Sequence, residues 1–302
     1  MSWDPLGIGE GISEFFGSFF TEIDEVVAMA QVLPNGETGV VEGGRPVMFE
    51  TFPANSLWNT ATGISHNCVA PVAATFLGIF LSIEIFHMAQ RTKVDSGLDL
   101  FYQILMAVLK MSICLFFIEN MSVIILACFQ IAQTIIRMIG SFNMETNIDV
   151  EALKKGVSDH YKNNTDFIDW GMLGTYICVL IASFGASICS TLAKLILMIR
   201  FIEIYIFTAM APLAFATLPS QEYSGIGKNF IKRMFALALQ GVMIVIACSI
   251  YLTILNALMA NGVDSIVSNP MLGSITLLGY NLLLVIVLFQ TGGWSKQLLQ
   301  VH

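Results

Sequence analysis

Between Trp170 and Ser220 the chain carries only three charged side chains, Lys194, Arg200 and Glu203, in an apolar run long enough to cross a bilayer twice. A helix of about 20 residues spans ~30 Å of hydrocarbon, and inside hydrocarbon every backbone N–H and C=O must be satisfied within the protein. Helices packed on helices are therefore the only architecture open to this run. Near its far end, in RFIEIYIFTAMAPLAFATLPS, stands Pro212. A proline inside a membrane helix removes one donor and frees a carbonyl, so the spacing predicts a helix kink at Pro212 that faces protein.

The rest of the chain follows the same pattern. With 56% hydrophobic and 12% charged residues over 302 positions, it is far more apolar than a water-soluble domain. The predicted fold class is all-α, a polytopic membrane helical bundle of about seven transmembrane helices preceded by an amphipathic helix. The apolar segments fall at 68–89, 100–119, 121–139, 172–196, 199–218, 234–259 and 272–292. Only Glu119-Asn120 divides the second from the third, and little more than Arg200 divides the fourth from the fifth. Each of these pairs is either a tight hairpin or one helix of more than 40 residues.

The net charge of −8 is localised. Residues 1–66 hold nine acids and a single base, Arg45, while acids and bases balance in 67–302. The chain thus divides into an acidic extracytoplasmic N-terminal segment, 1–66, and a helical transmembrane domain, 67–302. An acidic segment is no partner for nucleic acid. Within it, Ile12, Phe15, Phe16, Phe19, Ile23, Val26, Val27 and Ala30 recur at helical spacing opposite Glu14, Asp24 and Glu25, an amphipathic helix. Its acids repel anionic headgroups, so it is expected to dock on protein, its own membrane domain first. Pro34-Asn35-Gly36 and Gly43-Gly44 bracket short extended runs that fit a small hairpin.

Charge placement bears on the hairpins. If the N-terminus is outside and all seven segments cross, Arg91, Lys93, Arg137, Lys154, Lys155, Lys162, Lys228, Lys232, Arg233 and Lys296 lie inside, and only Arg45 and Arg200 outside. That asymmetry follows the positive-inside rule and favours both hairpins, with the N-terminus outside and the C-terminus inside. It also gives two cytoplasmic loops. One, 141–171, contains a short helical pattern. The other, 221–233, offers Lys228, Lys232 and Arg233 to an intracellular partner.

Catalytic patterns are missing. His66, His87, His160 and His302 are scattered, and the six cysteines lie in or beside apolar runs without metal spacing, as small hydrophobes do. Gly225-Ile226-Gly227-Lys228-Asn229 departs from a phosphate loop, which requires Ser or Thr after the lysine. No catalytic, cofactor or metal site is assigned, and an enzyme is disfavoured.

Ionisable residues within spans carry more information, because each is costly near a helix centre unless paired or hydrated. A hairpin turning at 198–199 brings Lys194 and Glu203 to one depth as an intramembrane ion pair. Glu84 and Lys110, on either side of the 90–99 loop, form a less symmetric pair. Gln130, Gln133, Thr134 and Arg137 recur at i, i+3, i+4, i+7 as a polar stripe facing a bundle interior or a wet path. Ala182 with Ala186, and Ser183 with Ser187, allow close helix packing.

Arg200, the apolar run to Ala211-Pro212-Leu213-Ala214, the polar stretch ending in Lys228 to Arg233, and the Ala- and Gly-rich helix from Met234 together resemble the TrbL-like conjugal transfer family. Its members are polytopic inner-membrane subunits of type IV secretion systems. The resemblance implies a non-enzymatic scaffold or conduit in a bacterial inner membrane, homo-oligomeric. It further implies work beside other secretion-system membrane subunits and cytoplasmic ATPases on a transferred DNA-protein substrate. Two other classes compete: a small-ion or solute transporter built on Glu84, Lys110, Lys194 and Glu203, and a seven-helix receptor. No internal repeat of the kind many transporters carry supports the first. The second matches in topology alone.

Overall fold

The structure, a computed structural model, describes residues 26, 29, 33, 34, 54–91, 97–140, 170–220, 222–268 and 270–300. Among them the chain is helical apart from short joints: α1 (Ala54–Ile64), a π-helical turn (Ser65–Val69), α2 (Ala70–Arg91), α3 (Gly97–Glu119), α4 (Met121–Gly140), α5 (Trp170–Ala216), α6 (Ser224–Ser268) and α7 (Pro270–Leu298). Among the described residues six segments are long and apolar enough to cross a membrane. Large apolar side chains stand exposed along them, Phe184 at 71% and Phe289 at 77%, which suits lipid and not water.

The two doubtful joints resolve differently. Residues 196–199 lie inside α5, a single helix of 47 residues and ~70 Å. At Asn120 the helix is interrupted: the Asn120 amide donates to Phe116 O (3.0 Å) at the end of α3, and its carbonyl accepts from the Val123 and Ile124 amides (3.1 and 3.2 Å) at the start of α4. The Asn120 side chain joins the same joint, donating from Nδ2 to Phe116 O at 3.1 Å. Thus α3 and α4 are two helices on either side of Asn120, each long and apolar enough to cross a membrane. The expected hairpin at 198–199 is corrected to a long helix. The charge argument falls with it, since Lys228, Lys232, Arg233 and Lys296 change sides relative to the earlier bases and the bias disappears.

True reversals have turn chemistry. After Ala216, the Thr217 and Leu218 amides bond three residues back, Pro219 follows, and Ser220 accepts from the Tyr223 and Ser224 amides before α6 begins. Gly227 then lets α6 approach the end of α5: a Cβ there would lie 2.8 Å from Ala214 O. Pro270 opens α7, where a missing donor costs nothing. Upstream, α1 bulges into α2 where the Ala70 amide reaches the Ser65 carbonyl, five residues back. That rod begins at Ala54 and runs straight through the boundary drawn at 66/67.

Helices α5, α6 and α7 make the main core, α7 lying against both others; α1, α2 and α3 flank α5, and α4 lies on α6. Leu197, Phe201, Ile204, Leu237, Ile244, Leu255 and Leu288 are fully enclosed there. From the N-terminal segment, Val26, Met29 and Leu33 are buried in the same core, and Pro34 O accepts from the Tyr205 hydroxyl at 3.1 Å. This part of the acidic segment packs on the protein's own helices. The hairpin read near residues 34–52 and the short helix in 141–169 fall outside the described residues, Pro34 apart.

Candidate functional site

Polar side chains gather where α5, α6 and α7 meet, and glycines make the room. Arg200 on α5 is 4% exposed. Its guanidinium packs directly against Gly241 of α6, where a Cβ would come within 2.9 Å of Cζ. In a helix the side chain of residue i leans over the turn before it. A glycine at 241 therefore uncovers the carbonyl of Leu237, which accepts from Arg200 Nε at 3.4 Å. One residue before Gly241, Gln240 extends its amide toward Gly292 of α7, 3.2 Å from where a Cβ would be. Thr291 and Ser295, both buried on α7, bond back to Leu288 O and Gly292 O. The result is a polar layer across three apolar helices.

One turn along α5, a charge cluster adjoins the layer. Glu203 Oε1 is 3.2 Å from Arg233 Nη2 on α6 and 3.6 Å from Lys296 Nζ on α7. Arg233 also lies over the Phe207 ring, 4.5 Å from its centroid. An aromatic chain continues from Phe207 through Phe230 and Phe215 to Phe117 at the Asn120 joint, where a wholly apolar cavity of about 170 Å³ opens beside Ile125 and Met234.

Several expected site residues are placed differently. Lys194 and Glu203 stand on one continuous helix, nine residues and ~13.5 Å apart, so they do not form the expected pair. Glu203 is instead shared by two bases far away in sequence. No ion pair joins Glu84 and Lys110 among the described residues: Glu84 lies seven residues before the end of α2 and Lys110 thirteen after the start of α3, a mismatch of ~9 Å. Of the polar stripe on α4 only Gln133 is buried; Gln130, Thr134 and Arg137 are exposed, and Arg137 Nη2 reaches back to Gln133 Oε1 at 3.5 Å. Lys228, Lys232 and Arg233 belong not to a loop but to the first turns of α6, and Arg233 is engaged with Glu203. Pro212 lies inside α5 with its ring buried. Sequence reasoning missed Gly241 and Gly292, whose only signal was glycine within an apolar helix.

Deeper in the core a second polar group occurs. Gly185 meets Leu278 just as Glu203 meets Lys296, both 93 residues apart, so α5 and α7 run parallel in fixed register. Ser190 and Asn281 thus fall within a turn of one level. Ser190 Oγ, Tyr251 OH, Asn256 Oδ1 and Asn281 Nδ2 are buried without a hydrogen-bond partner among the described residues. The whole arrangement orients charge and sets helix register.

A model of the family described as TrbL/VirB6 plasmid conjugal transfer like protein matches residues 46–212, more than half of the chain. No curated protein and no solved structure matches.

Proposed function

Since this chain belongs to the TrbL/VirB6-like plasmid conjugal transfer family, we propose that it is a non-enzymatic, multi-pass scaffold or conduit subunit of a conjugative type IV secretion machine in the bacterial inner membrane. The observation that carries this reading is the family match over a bundle of apolar helices whose buried polar groups fit register and contact rather than catalysis. In this reading the protein works as a homo-oligomer beside other membrane subunits and cytoplasmic ATPases, while DNA-protein substrate passes. An in-frame deletion should lower DNA transfer to recipients by orders of magnitude and be restored by the gene in trans. Transfer at the undiminished rate would refute the role.

The transporter alternative relied on intramembrane pairs that the helices do not form, and no observation now favours it. Orientation is a further proposal. Ala54 O lies 3.5 Å from Tyr205 OH, and Lys296 3.6 Å from Glu203, so the first helix starts and the last one ends within a turn of each other along α5. This supports both ends of the helical region facing one side, in place of an N-terminus outside and a C-terminus inside. Cysteines replacing Val40 and Gln300 should then react with an impermeant maleimide either both in intact cells or both only after lysis. Divided labelling would restore opposite sides.

A further inference from the structure

Around Glu203 the bases outnumber the acid. Arg233 and Lys296 share its Oε1, and Arg200 lies one turn away on α5, donating to the Leu237 carbonyl with its Cζ 5.7 Å from the Phe201 ring centroid and no carboxylate paired with it among the described residues. Arg200 Nη1 and Arg233 Nε are buried with no hydrogen-bond partner among the described residues. Three cations with one carboxylate leave two positive charges and at least two donors uncompensated, in surroundings where water screens poorly. Such a site calls for an anion rich in acceptor oxygens.

Its depth and flanks say which kind. Lys296 stands in the last turn of α7, and nearby Trp294 is 41% exposed; indole and lysine at the end of an apolar helix mark headgroup level. Arg233 and Lys296 side chains are 41% and 37% exposed, so the cluster is reachable from outside the bundle. Toward the membrane interior, Ile199 lies four residues before Glu203 and Phe289 seven before Lys296, each on the same helical face as the charge above it. Both are exposed, Phe289 at 77%. Donors at headgroup level with bare apolar side chains beneath match a phosphodiester carrying acyl chains. We propose that Arg233 and Lys296 bind the phosphate of an anionic phospholipid, with Glu203 holding the two bases in place and the acyl chains lying along Ile199 and Phe289.

The test uses the purified full-length protein in neutral detergent, with thermal midpoints read after adding phosphatidylglycerol, phosphatidylcholine of the same chains, or inorganic phosphate. Phosphatidylglycerol should raise the midpoint about threefold more than either of the others. Lys296→Gln and Arg233→Gln should abolish that excess, while Lys110→Gln, an exposed base elsewhere, should keep it. Because Arg233→Gln can itself loosen the bundle, native mass spectrometry of Lys296→Gln provides a second reading: the lipid retained by the wild-type chain should be lost. Equal stabilisation by phosphatidylcholine, or full retention in Lys296→Gln, would overturn the proposal. An effect of inorganic phosphate as large as that of the lipid would assign the site to a free anion and overturn the lipid.

Discussion

Gly241→Val should destabilise the purified protein by about 2–3 kcal/mol, and Arg200→Met in the same chain should recover most of the loss. The first carbon added at 241 falls on the Arg200 guanidinium, 2.9 Å from Cζ. Arg200 is buried between α5 and α6 and cannot swing out without parting them. Displacing it also strips Nε from the Leu237 carbonyl that accepts its hydrogen bond. By contrast, Arg200→Met alone should be near neutral or stabilising, since it replaces a buried charge without its own carboxylate by an apolar chain of similar length. Unfolding midpoints of the four proteins in one detergent measure the coupling. Additive effects would mean that Gly241 is not there for Arg200.

Glu203→Gln has the other large effect. Removing the shared carboxylate leaves Arg233 and Lys296 facing each other, at a cost of about 1–3 kcal/mol, between that of an exposed and a buried broken pair. The side chains are 27–41% exposed, which keeps the figure below the buried limit. Adding Lys296→Gln or Arg233→Gln should relieve part of that cost. Lys194→Met should instead be additive with Glu203→Gln, since ~13.5 Å of helix separates them. A cycle that coupled Lys194 to Glu203 and left Arg233 and Lys296 independent would require a hairpin at 198–199 after all.

What the sequence disclosed and what it hid have physical causes. Apolar length alone specified helices in a membrane, because no other backbone state is satisfied in hydrocarbon. Bilayer thickness alone misplaces a boundary at 198–199, where turn chemistry is missing. Leu195 to Arg200 contains neither glycine nor proline. Compare 217–223, with Pro219, and the joint before Pro270, where the chain does break. The absence of breakers at 195–200 is legible in the sequence and says more than the charge count. The Glu203 cluster was not legible: its partners are 30 and 93 residues away, and only the packing of α5 on α6 and α7 brings them together. Gly241 and Gly292 likewise acquire meaning only from the side chains they admit.

Affinity purification of the tagged protein from its native membrane, with identification of what accompanies it, tests the central claim most directly. A subunit of a conjugative secretion machine should bring down other transfer-machinery membrane proteins and a secretion ATPase, in amounts that fall when the Glu203 cluster is disrupted. Recovery of the folded protein without any transfer component, from cells actively transferring DNA, would contradict the account.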